Sequence, residues 1–104
     1  MKQGHFEQHW LDNGNPSGGV ATGKGFTISW QHGPLGRGED RRESNGAFVE
    51  DVIQAVIGRI EFYQEHFPCQ ENADALRCLI IAAVHLDDRT RNREERQVEG
   101  THQA

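Results

Sequence analysis

The stretch AFVEDVIQAVIGRIEFYQEHFPCQENADALRCLIIAAVHL, residues 47–86, holds 24 of the 36 apolar side chains in this chain of 104 residues. Within it Val49, Ile53, Val56, Ile60 and Tyr63 recur at alternating spacings of four and three, the period of a helix with one apolar face. Ser44 or Asn45 is placed to cap that helix, which the pattern carries to about Glu65. The sequence His66-Phe67-Pro68-Cys69 interrupts it, because a proline disfavours helical backbone at the residue before it. A second helix restarts between Cys69 and Glu71, and Leu76, Leu79 or Ile80, Ala83 and Leu86 repeat the helical spacing before the apolar pattern fades into DDRTRNREER, residues 87–96. Two helices joined by so short a break predict an antiparallel hairpin.

The apolar stripes are wider than a lone hairpin needs. The first helix adds Phe48, Val52 and Ile57 beside its main seam, and the second is apolar on nearly every side from Ala75 to Leu86, Ile81 and Val84 included. A helix in a two-helix unit buries one stripe against its partner, so the remainder must meet another surface. Burial of a residue such as Ile81 is worth about 1.5–3 kcal/mol, and a contiguous set left bare forms a sticky patch. The expectation is a homo-oligomer built on hairpin packing. In the alternative, the N-terminal residues fold back over the second face of a monomer.

Residues 1–46 have only ten apolar side chains but ten of the twelve glycines and two of the three prolines, a composition that favours turns and irregular backbone over helix. One strand candidate stands out: Gly25-Phe26-Thr27-Ile28-Ser29-Trp30-Gln31 alternates large apolar with polar residues and stops at His32-Gly33-Pro34. Phe26, Ile28 and Trp30 share a face. That face either packs on the hairpin or, at Trp30, walls a pocket beside the Gly-Pro turn. The expected fold class is therefore mainly α with a small β portion: an antiparallel two-helix hairpin preceded by a glycine-rich arm and one or two short strands, assembled as a homo-oligomer. Its expected divisions are a glycine-rich arm at 1–24, a strand plus helical-hairpin oligomerisation and ligand-binding domain at 25–97, and a C-terminal tail at 98–104.

Composition narrows the functional classes. Mean hydropathy is −0.77, no run of eighteen apolar residues occurs, and MKQGHFEQHW lacks the apolar stretch of a signal peptide, so the expectation is a cytoplasmic protein without a membrane partner. Cys69 and Cys78, with no CxxC pairing, then read as reduced thiols. Sixteen acidic against eleven basic residues give a formal charge of −5, which disfavours duplex nucleic acid as a partner.

Motifs for catalysis are weak throughout. Gly18-Gly19-Val20-Ala21-Thr22-Gly23-Lys24-Gly25 nearly spells a phosphate-binding loop, but Gly25 replaces the hydroxyl that holds magnesium, and a strand follows where the motif requires a helix N-terminus. Six histidines, at positions 5, 9, 32, 66, 85 and 102, include only one pair at ligand spacing, His5 and His9, so no metal is expected. Ser29, Ser44 and the cysteines lack any nucleophile context, and Glu50, Asp51 and Glu61 read as ordinary carboxylates on a solvated helix face. Neither an enzyme nor a cofactor is expected. What remains is arginine: Arg37, Arg41 and Arg42 after the strand, and Arg89, Arg91, Arg93 and Arg96 at the end of the second helix. Arg89 and Arg93, four apart, share a face that suits one phosphate; salt-bridged solubility is the plainer use of the same charges.

Residues 26–95 resemble the hairpin domain shared by phage anti-CBASS and anti-Thoeris sponge proteins. The resemblance is carried by the aromatic strand ending Trp30-Gln31-His32-Gly33-Pro34, the opening Phe67-Pro68-Cys69-Gln70-Glu71-Asn72-Ala73 of the second helix, and its close His85-Leu86-Asp87-Asp88-Arg89-Thr90-Arg91-Asn92-Arg93-Glu94. Asp87 stands where such family members often carry Asn. The resemblance implies homo-oligomers of helical hairpins, often hexamers, acting in the host cytoplasm during infection. Their pockets between protomers hold cyclic di- or trinucleotides or cyclic ADP-ribose derivatives without cleaving them.

By the same resemblance Trp30, with Phe26, would stack on a base, and Arg37, Arg89 and Arg93 would meet phosphates, with Gln31 and Thr90 completing the implied ligand-binding set. Stacking gives about 1–3 kcal/mol per base, whereas nanomolar binding needs about 12 kcal/mol, so arginines from more than one protomer are expected to supply the rest. The rival reading is a small oligomeric protein-interaction module with no nucleotide ligand. A third is a small enzyme that degrades the same signals.

Overall fold

The computed structural model describes residues 4–33 and 43–95, which fall into two compact units divided after Phe48. The first unit is a three-stranded antiparallel sheet of β1 (His5–Asp12), β2 (Asn15–Gly23) and β3 (Phe26–Trp30), in spatial order β1-β2-β3. Asn13 and Gly14 join β1 to β2 with φ of 52° and 82°. Positive φ at both central residues marks a turn whose twist matches that of the paired strands, and Asn-Gly is the dipeptide that adopts it most readily. The register slips between Trp10 and Leu11, which face Gly18 and Pro16, so the extra residue, Ser17, lies on β2 as a bulge.

This sheet corrects the expected fold class. Residues 5–23 are two paired strands, and the chain is a three-stranded sheet followed by two helices where a mainly α fold with an irregular arm and one or two short strands was expected. The physical reason lies in β2, Asn-Pro-Ser-Gly-Gly-Val-Ala-Thr-Gly. Its residues have little strand propensity of their own, but its backbone is paired on both sides, and context outweighs propensity in a central strand.

The second unit is the hairpin of α1 (Val49–His66) and α2 (Gln70–Glu95), close to the boundaries that Pro68 predicts. Ile57 and Ala83 are its buried apolar residues. Around them Ile53, Ile60 and Gln64 on α1, and Leu76, Leu79, Leu86 and Thr90 on α2, are half-buried at heptad-like spacing. The α2 seam is the expected one. On α1 the seam is rotated by one residue: Ile57 is buried, while Val49, Val56 and Tyr63 from the expected stripe are exposed.

The Gln64 side chain closes the connection, donating to the Cys69 carbonyl at 3.2 Å and accepting the Cys69 N–H at 3.0 Å. Cys69 caps α2, its sulfur accepting the Asn72 N–H at 3.4 Å. One turn on, hydrogen bonds from Gln70 and then Arg77, with the Arg77 charge, hold the exposed Asp74 carboxyl below its ordinary pKa. Among the described residues no helix is long and apolar enough to cross a membrane.

Candidate functional site

The pairing register decides which side chains share a sheet face. Gly19, Ala21 and Gly23 of β2 lie opposite His9, Glu7 and His5 of β1 on one side and opposite Trp30, Ile28 and Phe26 of β3 on the other. Directly opposed residues project from the same face. One face therefore carries a floor of small residues with an aromatic row along one flank and a His-Glu-His row along the other. Glu7 lies 2.9 Å from His5 and 3.8 Å from His9. The Phe26 ring lies over Gly23, in the space a side chain there would need, with the His5 ring 6.5 Å away. Among the described residues no group of three His, Cys, Asp or Glu side chains converges as a metal site.

Phe26 is 45% exposed and presents an open ring. Trp30 is half-buried, and its indole Nε1 is enclosed without a hydrogen-bond partner among the described residues. A buried donor left unsatisfied costs about 1–3 kcal/mol, so an acceptor supplied there has a ready role.

Gln31 is held by its own chain. Its Oε1 accepts the Asn45 N–H at 2.9 Å and lies 2.9 Å from the Ser44 hydroxyl, while its Nε2 lies 3.3 Å from the Gly33 carbonyl. Asn45 answers with its side chain: Oδ1 accepts the His32 N–H at 2.8 Å and Nδ2 donates to the His32 carbonyl at 3.1 Å. Ala47 completes this clip by a parallel bridge to Trp30, its N–H donating to Ser29 at 2.8 Å and its carbonyl accepting from Gln31 at 3.0 Å. Gly46 is required here, because a Cβ would sit 2.6 Å from the Trp30 carbonyl carbon and oxygen. Ser44 and Asn45, expected as helix caps, are thus partners of the strand end, and α1 starts only at Val49.

In the other unit, Arg89, Thr90 and Arg93 all lie on α2. Arg89 is exposed and stands one turn from Arg93 on the same helix face. Thr90 is half-buried and its hydroxyl donates to Glu50 at 3.4 Å, tying the end of α2 to the start of α1. Beside it Val84, Asp87, Asp88, Thr90 and Arg91 line an open groove. Arg91 is ion-paired to Asp88, and with Asp87 also in the lining the groove carries more acidic than basic side chains.

The structure therefore groups Phe26, Trp30 and Gln31 around β3, and Arg89, Thr90 and Arg93 on α2. Arg37, together with Arg41, Arg42 and Arg96, lies outside the described residues. Sequence reasoning paired His5 with His9 but missed their row with Glu7 on a strand face, and it missed the Asn45 clip. The Asn13-Gly14 dipeptide was the signal that would have revealed β1 and, with it, the row.

No family profile matches the chain. Over 82 residues, 78% of its length, it is 42% identical to the protein named Thoeris anti-defense 1 of Bacillus phage SBSphiJ7. The chain spans 55% of that protein's own length.

Proposed function

We propose that this chain, related by that similarity to a phage anti-Thoeris family, carries out its anti-defence role as a sponge. In this reading it binds cyclic nucleotide immune signals, either cyclic di- or trinucleotides or cyclic ADP-ribose derivatives, and holds them without cleavage. The observation that carries the reading is the 42% identity to a phage Thoeris anti-defense protein, which supports the anti-defence role. Local chemistry is compatible with the ligand class: Phe26 offers an exposed ring for a base, Trp30 an indole N–H without an acceptor among the described residues, and Arg89 an exposed cation.

A sponge in this reading is an oligomer, with a hexamer favoured, acting in the host cytoplasm. Ile80, Ile81 and Val84 on α2 and Val49, Val56 and Tyr63 on α1 are each 42–52% exposed. Covering them with further copies converts an exposed apolar surface into protomer seams, and a ligand pocket at such a seam gathers arginines from more than one chain.

The test is to incubate the purified protein with a panel of cyclic nucleotides, follow its thermal transition, then heat the complex and identify what is released. A raised transition with intact ligand recovered is the expected result. Conversion of the ligand would replace the sponge with an enzyme. No shift with any member would leave the exposed apolar faces as a docking surface for another protein.

A further inference from the structure

We propose that the outer edge of β1 pairs antiparallel with β1 of a second copy of this chain, about a two-fold axis at Gln8. Among the described residues β1 is the outermost strand of the sheet, and all eight of its residues are exposed. Natural edge strands are usually protected by Lys, Pro or a bulge that bends the edge away. His5–Asp12 contains neither Lys nor Pro, its charged residues are Glu7 and Asp12 alone, and the extra residue of the bulge lies on β2 rather than on β1.

The composition of the strand selects the partner and the register. In a symmetric pairing, opposed residues must project from the same face, so the two positions of any pair are both odd or both even. Centred on Gln8, Glu7 faces the partner's His9, Phe6 faces the partner's Trp10, and Gln8 faces the partner's Gln8. Each unlike pair occurs twice. Phe6 and Trp10, 58% and 40% exposed, thereby cover one another on one face, while on the other the Glu7 carboxylate meets a His9 ring whose N–H can donate to it. Centring the axis one residue away, on Glu7 or on His9, places two carboxylates or two imidazoles directly opposite. Of these registers only the one centred on Gln8 sets each Glu7 carboxylate opposite a hydrogen-bonding side chain and each Phe6 opposite an aromatic ring, the self-complementarity that an isologous two-fold contact requires. The pairing stands whether or not the chain binds a nucleotide.

Disulfide trapping tests it in the full chain. With the exposed Cys69 and Cys78 replaced by Ser, Gln8→Cys puts two thiols on the axis. Directly opposed Cα atoms lie about 4.5–5.5 Å apart, within the range of about 4.4–6.8 Å that a disulfide spans. Leu11→Cys is the control: it faces the partner's His5, six residues and about 20 Å from its own copy. Mild oxidation is expected to trap a dimer at position 8 and not at position 11. Adding Glu7→Lys or His9→Glu to the Gln8→Cys protein is expected to slow trapping about tenfold, because each change acts twice across the axis, and combining the two is expected to restore it. Equal trapping at positions 8 and 11, no trapping at position 8, or single charge changes without effect would each overturn the pairing.

Discussion

Gln31 uses both ends of its side-chain amide to hold the strand end, so its place in a ligand site differs from that of its neighbours. Replacing Gln31 with Ala removes the oxygen that accepts the Asn45 N–H and lies beside the Ser44 hydroxyl, which keeps the Gly46 carbonyl at 2.7 Å as an acceptor. These groups are solvent-accessible, which keeps the cost near the low end, about 0.5–1.5 kcal/mol. Hydrogen exchange is expected to quicken at Ala47 and Gln31, whose amides close the clip, and to stay unchanged along α2. Phe26 is the contrasting case, an exposed ring seated on Gly23. If it stacks on a base, Phe26→Ala is expected to weaken the ligand by about 1–3 kcal/mol, roughly 5- to 150-fold, with little change in the thermal transition of the ligand-free protein. Titration calorimetry with a bound panel member checks this, and wild-type affinity in the variant would remove Phe26 from the site. At Trp30 the enclosed Nε1, without a hydrogen-bond partner among the described residues, makes Trp30→Phe the informative change, since it keeps an aromatic ring and removes that donor together with part of the indole.

Among the elements, the hairpin shows how far periodicity reaches. Pro68, the Phe67-Pro68-Cys69 break and the α2 seam were legible because helix interruption and apolar spacing are local properties of the chain. The phase of α1 was not, since Val49-Ile53-Val56-Ile60-Tyr63 and Ile53-Ile57-Ile60-Gln64 fit a helical period equally, and only packing against α2 selects the second. The consequence is a sharp difference between neighbours: Ile57→Ala is expected to cost about 2–4 kcal/mol through the cavity it leaves. Val56→Ala, on the exposed face, is expected to cost less than about 1 kcal/mol in the dissociated chain. Urea unfolding of the two variants at low protein concentration checks the assignment. The sheet was nearly illegible for the opposite reason, because its central strand is built of small residues whose order comes from pairing. The Asn13-Gly14 turn is local chemistry, but the strands beside it lack the β-branched runs that would have drawn attention to it. Of the candidate site, the aromatic row was readable from alternation in β3, while the facing His-Glu-His row exists only through register.

At the scale of the whole molecule, the described chain buries few apolar side chains, Ala21, Ile57 and Ala83 among them, and leaves twelve large ones exposed. No large side chain is fully enclosed among the described residues. A protein of this size must bury most of the apolar surface its chain offers to offset conformational entropy, and in the proposed oligomer other copies would cover the exposed hairpin faces. Ile81 and Val84 are 51% and 52% exposed and lie three residues apart on one face of α2, away from the buried Ala83. Glutamate at both positions keeps helix propensity and leaves the α1–α2 seam intact, but in the proposed oligomer it would bury carboxylates in every seam between copies. Buried unpaired charge costs several kcal/mol per ion. The double variant Ile81→Glu, Val84→Glu is therefore expected to sediment with fewer subunits than the wild type while retaining its far-ultraviolet helical signal. Ligand binding is expected to fall with it, because a pocket assembled from neighbouring protomers is lost when the protomers part. A wild-type protein that sediments as a monomer would instead show that the exposed faces do not join copies of the chain, and would move any nucleotide site onto the sheet face of a single chain.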